Sequence, residues 1–358
     1  AHTLLPSEGL EEYGWSVAMT RRFMAIGAPG SNQGAGSVDV RRRGGEGNEG
    51  LVQLQPEGLE AGEHRFGEAV AMVEPIPGQA VVVVGAPNAN AVGGVFVYES
   101  LESNQPYFAA PPSTTTGLRF GAALAIDELG IVVGAPANGN ETDQTSVAGQ
   151  AFFISPPQEH SSHTEPVMQA LPRSATMPGD LFGFSVAISG SMLLVGAPGF
   201  DENRGVVFVY MQQNGEWVET QTLSSEHLAF DAPKFGSSVA IAGNIALVGA
   251  PDGPIVGPEH APNTSGSVSV FHFDQSLAEL RLVDQLIPSF QPAEDPSIRG
   301  FGRIVALDNF DAVALDEDGG VHEFRPCEVH AHGCIRAVDR CVEAGYQFFN
   351  TLPCEGAS

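Results

Sequence analysis

The stretch that decides the fold is residues 182–198, FGFSVAISGSMLLVGAP. It opens with an aromatic–glycine pair, continues into an apolar run, turns at Gly190 and ends in Gly-Ala-Pro. Residues 235–251, FGSSVAIAGNIALVGAP, repeat the pattern almost letter for letter. Self-similarity of this kind is typical of architectures in which each repeat is one supersecondary unit.

The same pattern covers most of the chain. Aromatic–glycine pairs begin at positions 13, 66, 120, 182, 235 and 301. The copies that begin at Tyr13, Phe66 and Phe120 also end in Gly-Ala-Pro, whereas the sixth has Val313-Ala314-Leu315-Asp316 at that place. We therefore interpret the chain as five intact copies and a degenerate sixth.

Each copy predicts four short strands. Three apolar runs rich in Val, Ile, Leu and Phe are bounded by Gly, Pro or Asn, which is a strand signal. A fourth run precedes the next copy, as at residues 217–223 and 280–286. Glycine beside the aromatic is expected to let strands approach closely, and proline after Gly-Ala is expected to end the second strand. Four-stranded units repeated radially describe an all-β propeller.

The Phe-Gly … Gly-Ala-Pro units resemble FG-GAP repeats, as in the N-terminal propeller of integrin α-subunits and in many bacterial and algal surface proteins. The resemblance covers about residues 1–326. It implies a propeller of six or seven blades, an extracellular location, and binding or adhesion more often than catalysis. Six copies favour six blades, with Thr3-Leu4-Leu5-Pro6 completing the last one. A seventh blade would need residues 327–358, which lack the motif.

Residues 327–358 form a separate cysteine-rich segment. Four clustered cysteines predict two disulfides in an oxidising compartment, and the sequence leaves three pairings open. His330 and His332 lie among the first two cysteines, as zinc ligands would, but the oxidising context favours disulfides. Two glycosylation sequons, at Asn140 and Asn263, also indicate a secreted or cell-surface protein. The cysteines are Cys327, Cys334, Cys341 and Cys354.

Composition excludes several classes of function. The chain has 43 acidic and 16 basic residues, a net charge of −27, and Lys234 is its single lysine. Nucleic acid is not an expected partner, because phosphate binding needs clustered cations and the runs at 21–22 and 41–43 are short. No apolar run reaches the 18 residues of a membrane span. The sequence opens at Ala1 and shows no charged-then-apolar signal segment, so we expect a processed or excised ectodomain.

No enzyme is predicted. Residues 45–50 match G-x-G-x-x-G, but they lie in a polar loop without the strand–turn–helix context of a dinucleotide site. There is no G-x-S-x-G elbow, and the ten histidines are scattered.

The resemblance raises the question of calcium, because integrin-like repeats carry an Asp-x-Asp-x-Asp-Gly cage between their first and second strands. Here that turn is Ser189-Gly190-Ser191 in the fourth copy and Gly243-Asn244 in the fifth, and none of the copies offers three carboxylates. Asp308 and Asp311 come nearest to a ligand set. We predict no cofactor and do not expect calcium at these turns.

The loops after Gly-Ala-Pro and those before Phe-Gly are expected to emerge on one face, because the strands alternate in direction. Binding concentrates on loops held by a rigid scaffold, although Asn, Asp and Gly are also ordinary turn residues. The candidate ligand-binding residues are Asn88, Asn90, Asn138, Asn140, Asp201, Glu202, Asn203 and Asp252.

Three functions fit this sequence. The first is a non-catalytic extracellular module for adhesion or for building a cell-surface or matrix assembly, with a protein partner. The second is a lectin-like propeller that binds a glycan. The third is an extracellular hydrolase or lyase with a site on the same face.

Overall fold

The computed structural model describes most of the six repeats. The described residues are 11–43, 50–56, 58–59, 62–102, 105–112, 116–137, 147–155, 167–174, 177–225, 233–252, 266–287, 300–307, 312–315, 321–324 and 347–348. The predicted boundary between residues 326 and 327 lies outside them, as does the predicted strand at Thr3–Pro6.

The described chain is built of short antiparallel strands, which confirms the all-β class. The first three sheets contain β1 (Ser16–Met19), β2 (Phe23–Ala28), β3 (Ser37–Arg42), β4 (Gly50–Leu54); β5 (Val70–Ile76), β6 (Gln79–Ala86), β7 (Gly94–Tyr98), β8 (Tyr107–Ala109); and β9 (Ala123–Ile126), β10 (Ile131–Ala135), β11 (Gln150–Ser155), β12 (Val167–Ala170). The next three contain β13 (Ser185–Ser189), β14 (Met192–Ala197), β15 (Val206–Gln213), β16 (Glu216–Ser224); β17 (Ser238–Ala242), β18 (Ile245–Ala250), β19 (Ser267–Asp274), β20 (Glu279–Ile287); and β21 (Ile304–Leu307), β22 (Ala312–Leu315), β23 (Val321–Phe324). Two short helical turns cover Ala89–Ala91 and Phe200–Asn203 (α1).

Within each sheet the strands follow one another as a meander, so each repeat forms its own sheet. The predicted fourth strands at residues 217–223 and 280–286 are confirmed as parts of β16 and β20. A short strand β24 (Gln347–Phe348) pairs with the outer edge of the fifth sheet, where Phe348 lies opposite Leu286.

The chain divides into two compact units, one of Ala1–Leu171 with Met177–Gly179 and the other of Pro172–Thr176 with Asp180–Ser358. In the first unit, one face of the second sheet packs on the first sheet and its other face packs on the third. In the second unit the fifth sheet lies in the same way between the fourth and the sixth. Each sheet interface is a core of valines, other aliphatic residues and the buried phenylalanines.

Consecutive sheets of a unit meet at a pair of glycines, which we call the glycine joint. The Gly of Gly-Ala-Pro has no room for a side chain, since a Cβ at Gly85 would overlap the carbonyl oxygen of Gly121 in the next sheet. Gly121 itself has φ +93°, a conformation that favours glycine. The close approach expected beside the aromatic is thus confirmed, and it requires both glycines of the motif. The same joint pairs Gly27 with Gly67, Gly196 with Gly236, and Gly249 with Gly302.

A serine hydroxyl reinforces three of these joints. The Ser185 hydroxyl donates to the Gly236 carbonyl over 2.8 Å, and Ser238 donates to Gly302 over the same distance. Ser16 makes the equivalent bond, over 2.7 Å, to Gly67. The carbonyl that closes the joint therefore has a hydrogen-bond partner.

The sixth repeat lacks the joint glycine. The Gly302 amide donates to Leu315 over 3.1 Å, as the Gly236 amide donates to Gly249. Leu315 therefore occupies the position that Gly-Ala-Pro fills with glycine in the intact repeats. A further sheet could not approach this position as closely, because the leucine side chain takes up the space.

Candidate functional site

The aromatic–glycine pair anchors each repeat and turns the chain at its surface. Phe66, Phe120 and Phe235 are fully buried, whereas the residue before each of them has φ between 55° and 59°. The amide of Phe120 donates to the Val92 carbonyl of the preceding repeat over 3.0 Å. The buried ring thus fixes the start of one repeat against the loop of the repeat before it.

The loop after the second strand forms a left-handed turn. In the fourth repeat Asp201, Glu202 and Asn203 have φ values of 49°, 55° and 67° in succession. The Gly205 amide closes the turn by donating to Phe200 over 2.9 Å. The first and second repeats carry shorter versions at residues 32–33 and 90–91. Each non-glycine residue in this region costs on the order of 1 kcal/mol, so the surrounding contacts must hold these loops in shape.

The two kinds of loop meet within a repeat. The backbone amide of Asn88 donates to the His64 carbonyl over 3.3 Å, and the backbone amide of Gly199 donates to the Asp180 carbonyl over 3.1 Å. The prediction that the loops before Phe-Gly and after Gly-Ala-Pro share one face is confirmed inside these repeats. We call this side of a repeat its loop face.

The structure places six of the predicted ligand-binding residues on the loop faces. Asn88 and Asn90 are exposed in the second repeat, and Asp201, Glu202 and Asn203 are exposed in the fourth. The sixth, Asp252, is half-buried in the fifth repeat.

The remaining predicted positions lie outside the described residues, so their environment is not described. They are Asn138, Asn140, Asn263, Asp308, Asp311 and the four cysteines.

Lys234, which precedes the fifth aromatic, joins two of these loops. Its amide donates to the Asn203 carbonyl over 2.7 Å, and its Nζ lies 2.7 Å from Asp252 Oδ2. Two predicted loops of the second unit therefore meet at the single lysine of the chain.

A chain of alternating charges runs along the loop faces of the first unit. Arg65 pairs with Glu12 over 3.3 Å and with Glu68 over 2.5 Å, and Glu68 also pairs with Arg119. Burial acts to lower the pKa of Arg65, but Glu68 and then Glu12 outweigh it and leave that pKa raised. The Arg65 guanidinium also lies 5.1 Å from the centre of the exposed Trp15 ring.

Sequence reasoning missed this chain of charges, although a signal was present. Arg65, Arg119 and Lys234 all stand immediately before a Phe-Gly pair. Partly exposed pairs of this kind contribute about 0.2–1 kcal/mol each. Their role is to order the loops that carry the exposed side chains.

In the first repeat, a polar cluster replaces a buried aromatic pair. Phe66 and Phe96 of the second repeat pack edge to face with ring centres 5.2 Å apart. At the corresponding places the Tyr13 hydroxyl donates to Asp39 over 3.0 Å, and Arg41 Nε donates to Asp39 over 2.7 Å. Burial, followed by the charge of Asp39, raises the pKa of Tyr13 to about 12.

Within the described ranges, no group of three or more His, Cys, Asp or Glu side chains is placed to hold a metal ion. Nor does that part of the chain contain a helix long and apolar enough to cross a membrane.

Comparison with known proteins gives a match to one of the repeats. A family model for the FG-GAP repeat matches residues 170–210, which contain both motifs of the fourth copy. No curated protein matches the chain. Among solved structures, the chain is similar to a functionally unknown protein from Desulfotomaculum acetoxidans DSM 771, with a TM-score of 0.50 and 11% identity over 96% of this chain and 93% of that one. At that identity the likeness shows the fold alone.

Proposed function

We propose that this chain, in which residues 170–210 match a model for the FG-GAP repeat, is a non-catalytic extracellular interaction module. Its loop faces bind a protein partner, in adhesion or in building a cell-surface or matrix assembly. The observation that carries this proposal is the left-handed turn at residues 201–203, where three consecutive polar side chains are exposed on a strained backbone. Strain of this kind concentrates at functional sites.

The charged side chains of the loop faces support a binding role rather than a catalytic one. Asp201 lies 3.2 Å from Arg204, and Asp252 pairs with Lys234. Glu68 is held between two arginines. Carboxylates engaged in this way order loops, whereas general acid–base catalysis needs a carboxylate aimed at a reacting group.

We further propose that the six repeats are the blades of one propeller. The glycine joint supports this, because it repeats between consecutive sheets of each unit. Since Leu315 replaces the joint glycine in the last repeat, closure needs a different element, and Thr3–Pro6 is positioned in the sequence to add a fourth strand to the sixth sheet. Deletion of residues 1–10 is then expected to lower the melting temperature. X-ray scattering of the intact chain should give a radius of gyration of about 20 Å, the value for a compact body of this length.

The proposed location outside the cell rests on the family and on the cysteines at 327, 334, 341 and 354. Two disulfides there predict a mass increase of about 4 Da on reduction, one hydrogen per cysteine. Four free thiols in the native protein would contradict the oxidising compartment.

The loop face is tested with a matched pair of asparagines. Asn203 on the loop face and Asn214 in the β15–β16 turn are both exposed, and their φ values are 67° and 53°. We expect Asn203→Arg to weaken partner binding at least tenfold and Asn214→Arg to leave it unchanged. The partner is first identified by photo-crosslinking from position 202 on the protein's native surface, and binding is then measured with the purified partner.

Three results would contradict the proposal. Equal effects of the two substitutions would show that the loop face is not the binding surface. Clear hits on a glycan array that Asn203→Arg abolishes, without a protein partner, would favour the lectin-like alternative. Turnover of a substrate would favour the hydrolase or lyase.

A further inference from the structure

The first sheet gathers five arginines at the end opposite its loop face. They occupy positions 21–22, in the β1–β2 turn, and 41–43, at the end of β3. Strand pairing sets Arg42 opposite Phe23, and the Arg43 amide donates to the Arg22 carbonyl over 2.7 Å. Almost a third of the 16 basic residues of a chain with net charge −27 thus lie at one place. We call this place the arginine end.

Two of these arginines have carboxylate partners. Arg41 is 2.7 Å from Asp39, and Arg22 is 2.8 Å from Glu74 on the second sheet. A hydrogen bond from the Gly78 amide lowers the pKa of Glu74 to about 2, and Arg22 acts in the same direction. Glu74 therefore stays ionised, and the pair with Arg22 fastens the arginine end to the neighbouring sheet.

The other three have no carboxylate partner among the described residues. The Arg42 guanidinium lies 5.7 Å from the centre of the Phe23 ring, and Arg43 donates to the Thr20 carbonyl over 2.6 Å. Arg21 is exposed in the turn. Guanidinium groups present a planar fork that matches carboxylate and other oxyanion groups, and a cation–π contact and a backbone hydrogen bond hold two of these forks in place.

A cavity of about 460 Å³ opens beside Arg42, between the first and second sheets. This volume lies within the roughly 300–1,000 Å³ of ligand sites. The lining that the second repeat contributes includes Gln79, Glu99 and Glu102. The two carboxylates can accept hydrogen bonds from hydroxyl groups, and they repel a ligand whose negative charge is dense and continuous.

We propose that the arginine end binds an acidic polysaccharide. Its carboxylates pair with Arg21, Arg42 and Arg43, and the hydroxyls of the adjoining sugar donate to Glu99 and Glu102 in the cavity. Nucleic acid fits less well, because duplex DNA carries a charge about every 1.7 Å, more than one carboxylate per sugar does, and its backbone has no hydroxyl groups to donate to Glu99 and Glu102. This site is separate from the loop face, so it stands or fails independently of the protein partner proposed above.

The probe is polygalacturonate, with dextran as the neutral control and duplex DNA as the competing polyanion, measured by biolayer interferometry. We expect binding to polygalacturonate and none to dextran. With three charges engaged, and with the counterion slope of single-stranded nucleic acid taken for this polyanion, raising the salt from 50 to 200 mM should weaken binding about twentyfold. The triple substitution Arg21→Gln, Arg42→Gln, Arg43→Gln should abolish measurable binding.

A second triple variant controls for net charge. Arg204→Gln, Arg281→Gln, Arg303→Gln removes the same charge from exposed positions elsewhere and should bind as the wild type does. The single substitution Arg21→Gln guards against misfolding, since this side chain has no hydrogen bond or ion pair among the described residues, and it should weaken binding several-fold. Equal loss in both triple variants, binding to dextran, or tighter binding to DNA than to polygalacturonate would overturn the proposal.

Discussion

The glycine joint predicts an unusual effect of a small substitution, Gly85→Ala. The backbone of Gly85 does not have positive φ, and alanine at such a position ordinarily stabilises a protein by about 0.4–1 kcal/mol through the unfolded chain. Here the three atoms nearest to the added Cβ are all backbone atoms of Gly121, which cannot move aside as a side chain could. Because of this contact, we expect Gly85→Ala to destabilise the protein rather than stabilise it.

The size of the effect follows from the separation that the new methyl group demands. The second and third sheets must move apart by about 1 Å at this point, and a gap of that size forfeits up to about half of the dispersion energy of the contacts involved. Overpacking that side chains can relieve costs about 1–3 kcal/mol. Because only backbone is available to yield, we expect a loss of about 3 kcal/mol or more, which corresponds to a fall of about 6–12 °C in melting temperature for a unit of this size.

Thermal and urea unfolding, followed by circular dichroism, test this expectation. The control is Gly78→Ala in the β5–β6 turn of the same unit, where φ is +91° and no atom lies within 4 Å of the added Cβ. That variant should lose about 1–2 kcal/mol, from the left-handed backbone alone. A Gly85→Ala protein as stable as the wild type, or more stable, would refute the steric account of the joint.

Three further predictions concern hydrogen bonds and titration. Ser185→Ala should lower the free energy of unfolding by about 1 kcal/mol, because it removes the hydrogen bond to the Gly236 carbonyl. Ala69→Ser places a hydroxyl at the equivalent position of the second repeat and should raise the free energy of unfolding. Urea unfolding measures both changes, and a Ser185→Ala variant as stable as the wild type would show that the serine adds nothing. Burial raises the pKa of Asp284, although the Gln285 amide opposes it, so the folded state favours the protonated acid and stability falls as the pH rises through that pKa. Asp284→Asn should therefore raise the melting temperature at pH 7 and have little effect below about pH 4. A lower melting temperature of this variant at pH 7 would contradict the argument. The pKa of Tyr13 is raised to about 12, so the stability that the protonated phenol contributes is present below about pH 10 and is lost as the pH rises toward 12. Alkaline unfolding of Tyr13→Phe should lack this part of the pH dependence. An unchanged profile would show that Tyr13 makes no such contribution.

The strands and the repeats could be predicted from the sequence because local signals determine them. Apolar runs bounded by glycine and proline mark the strands, and the Phe-Gly and Gly-Ala-Pro motifs mark where a copy begins and where its second strand ends. The fourth strand at residues 216–224 was visible for the same reason. The core also follows from the pattern, since the aromatic of each Phe-Gly pair is buried wherever the structure describes it.

The details of the surface could not be predicted because they depend on contacts between repeats. Ala91 and Glu202 have no preference for the left-handed backbone they adopt, so no local signal marks these turns. Arg22 and Arg43 are separated by 21 positions in the sequence and become neighbours only through the register of β2 and β3. The two short arginine runs each appeared too small to matter, and their combined charge emerges only in the folded sheet.

Because Leu315 replaces the joint glycine, repeats can be added in the middle of the series but not after the last repeat. A middle copy of either unit can be duplicated or lost in the gene without redesign, because the joints inside each unit use the same glycine and the same carbonyl. Duplication of the last copy would instead set a leucine against the backbone of the newcomer. Relatives of different length are therefore expected to differ in the number of their middle repeats, while the terminal repeat is inherited unchanged.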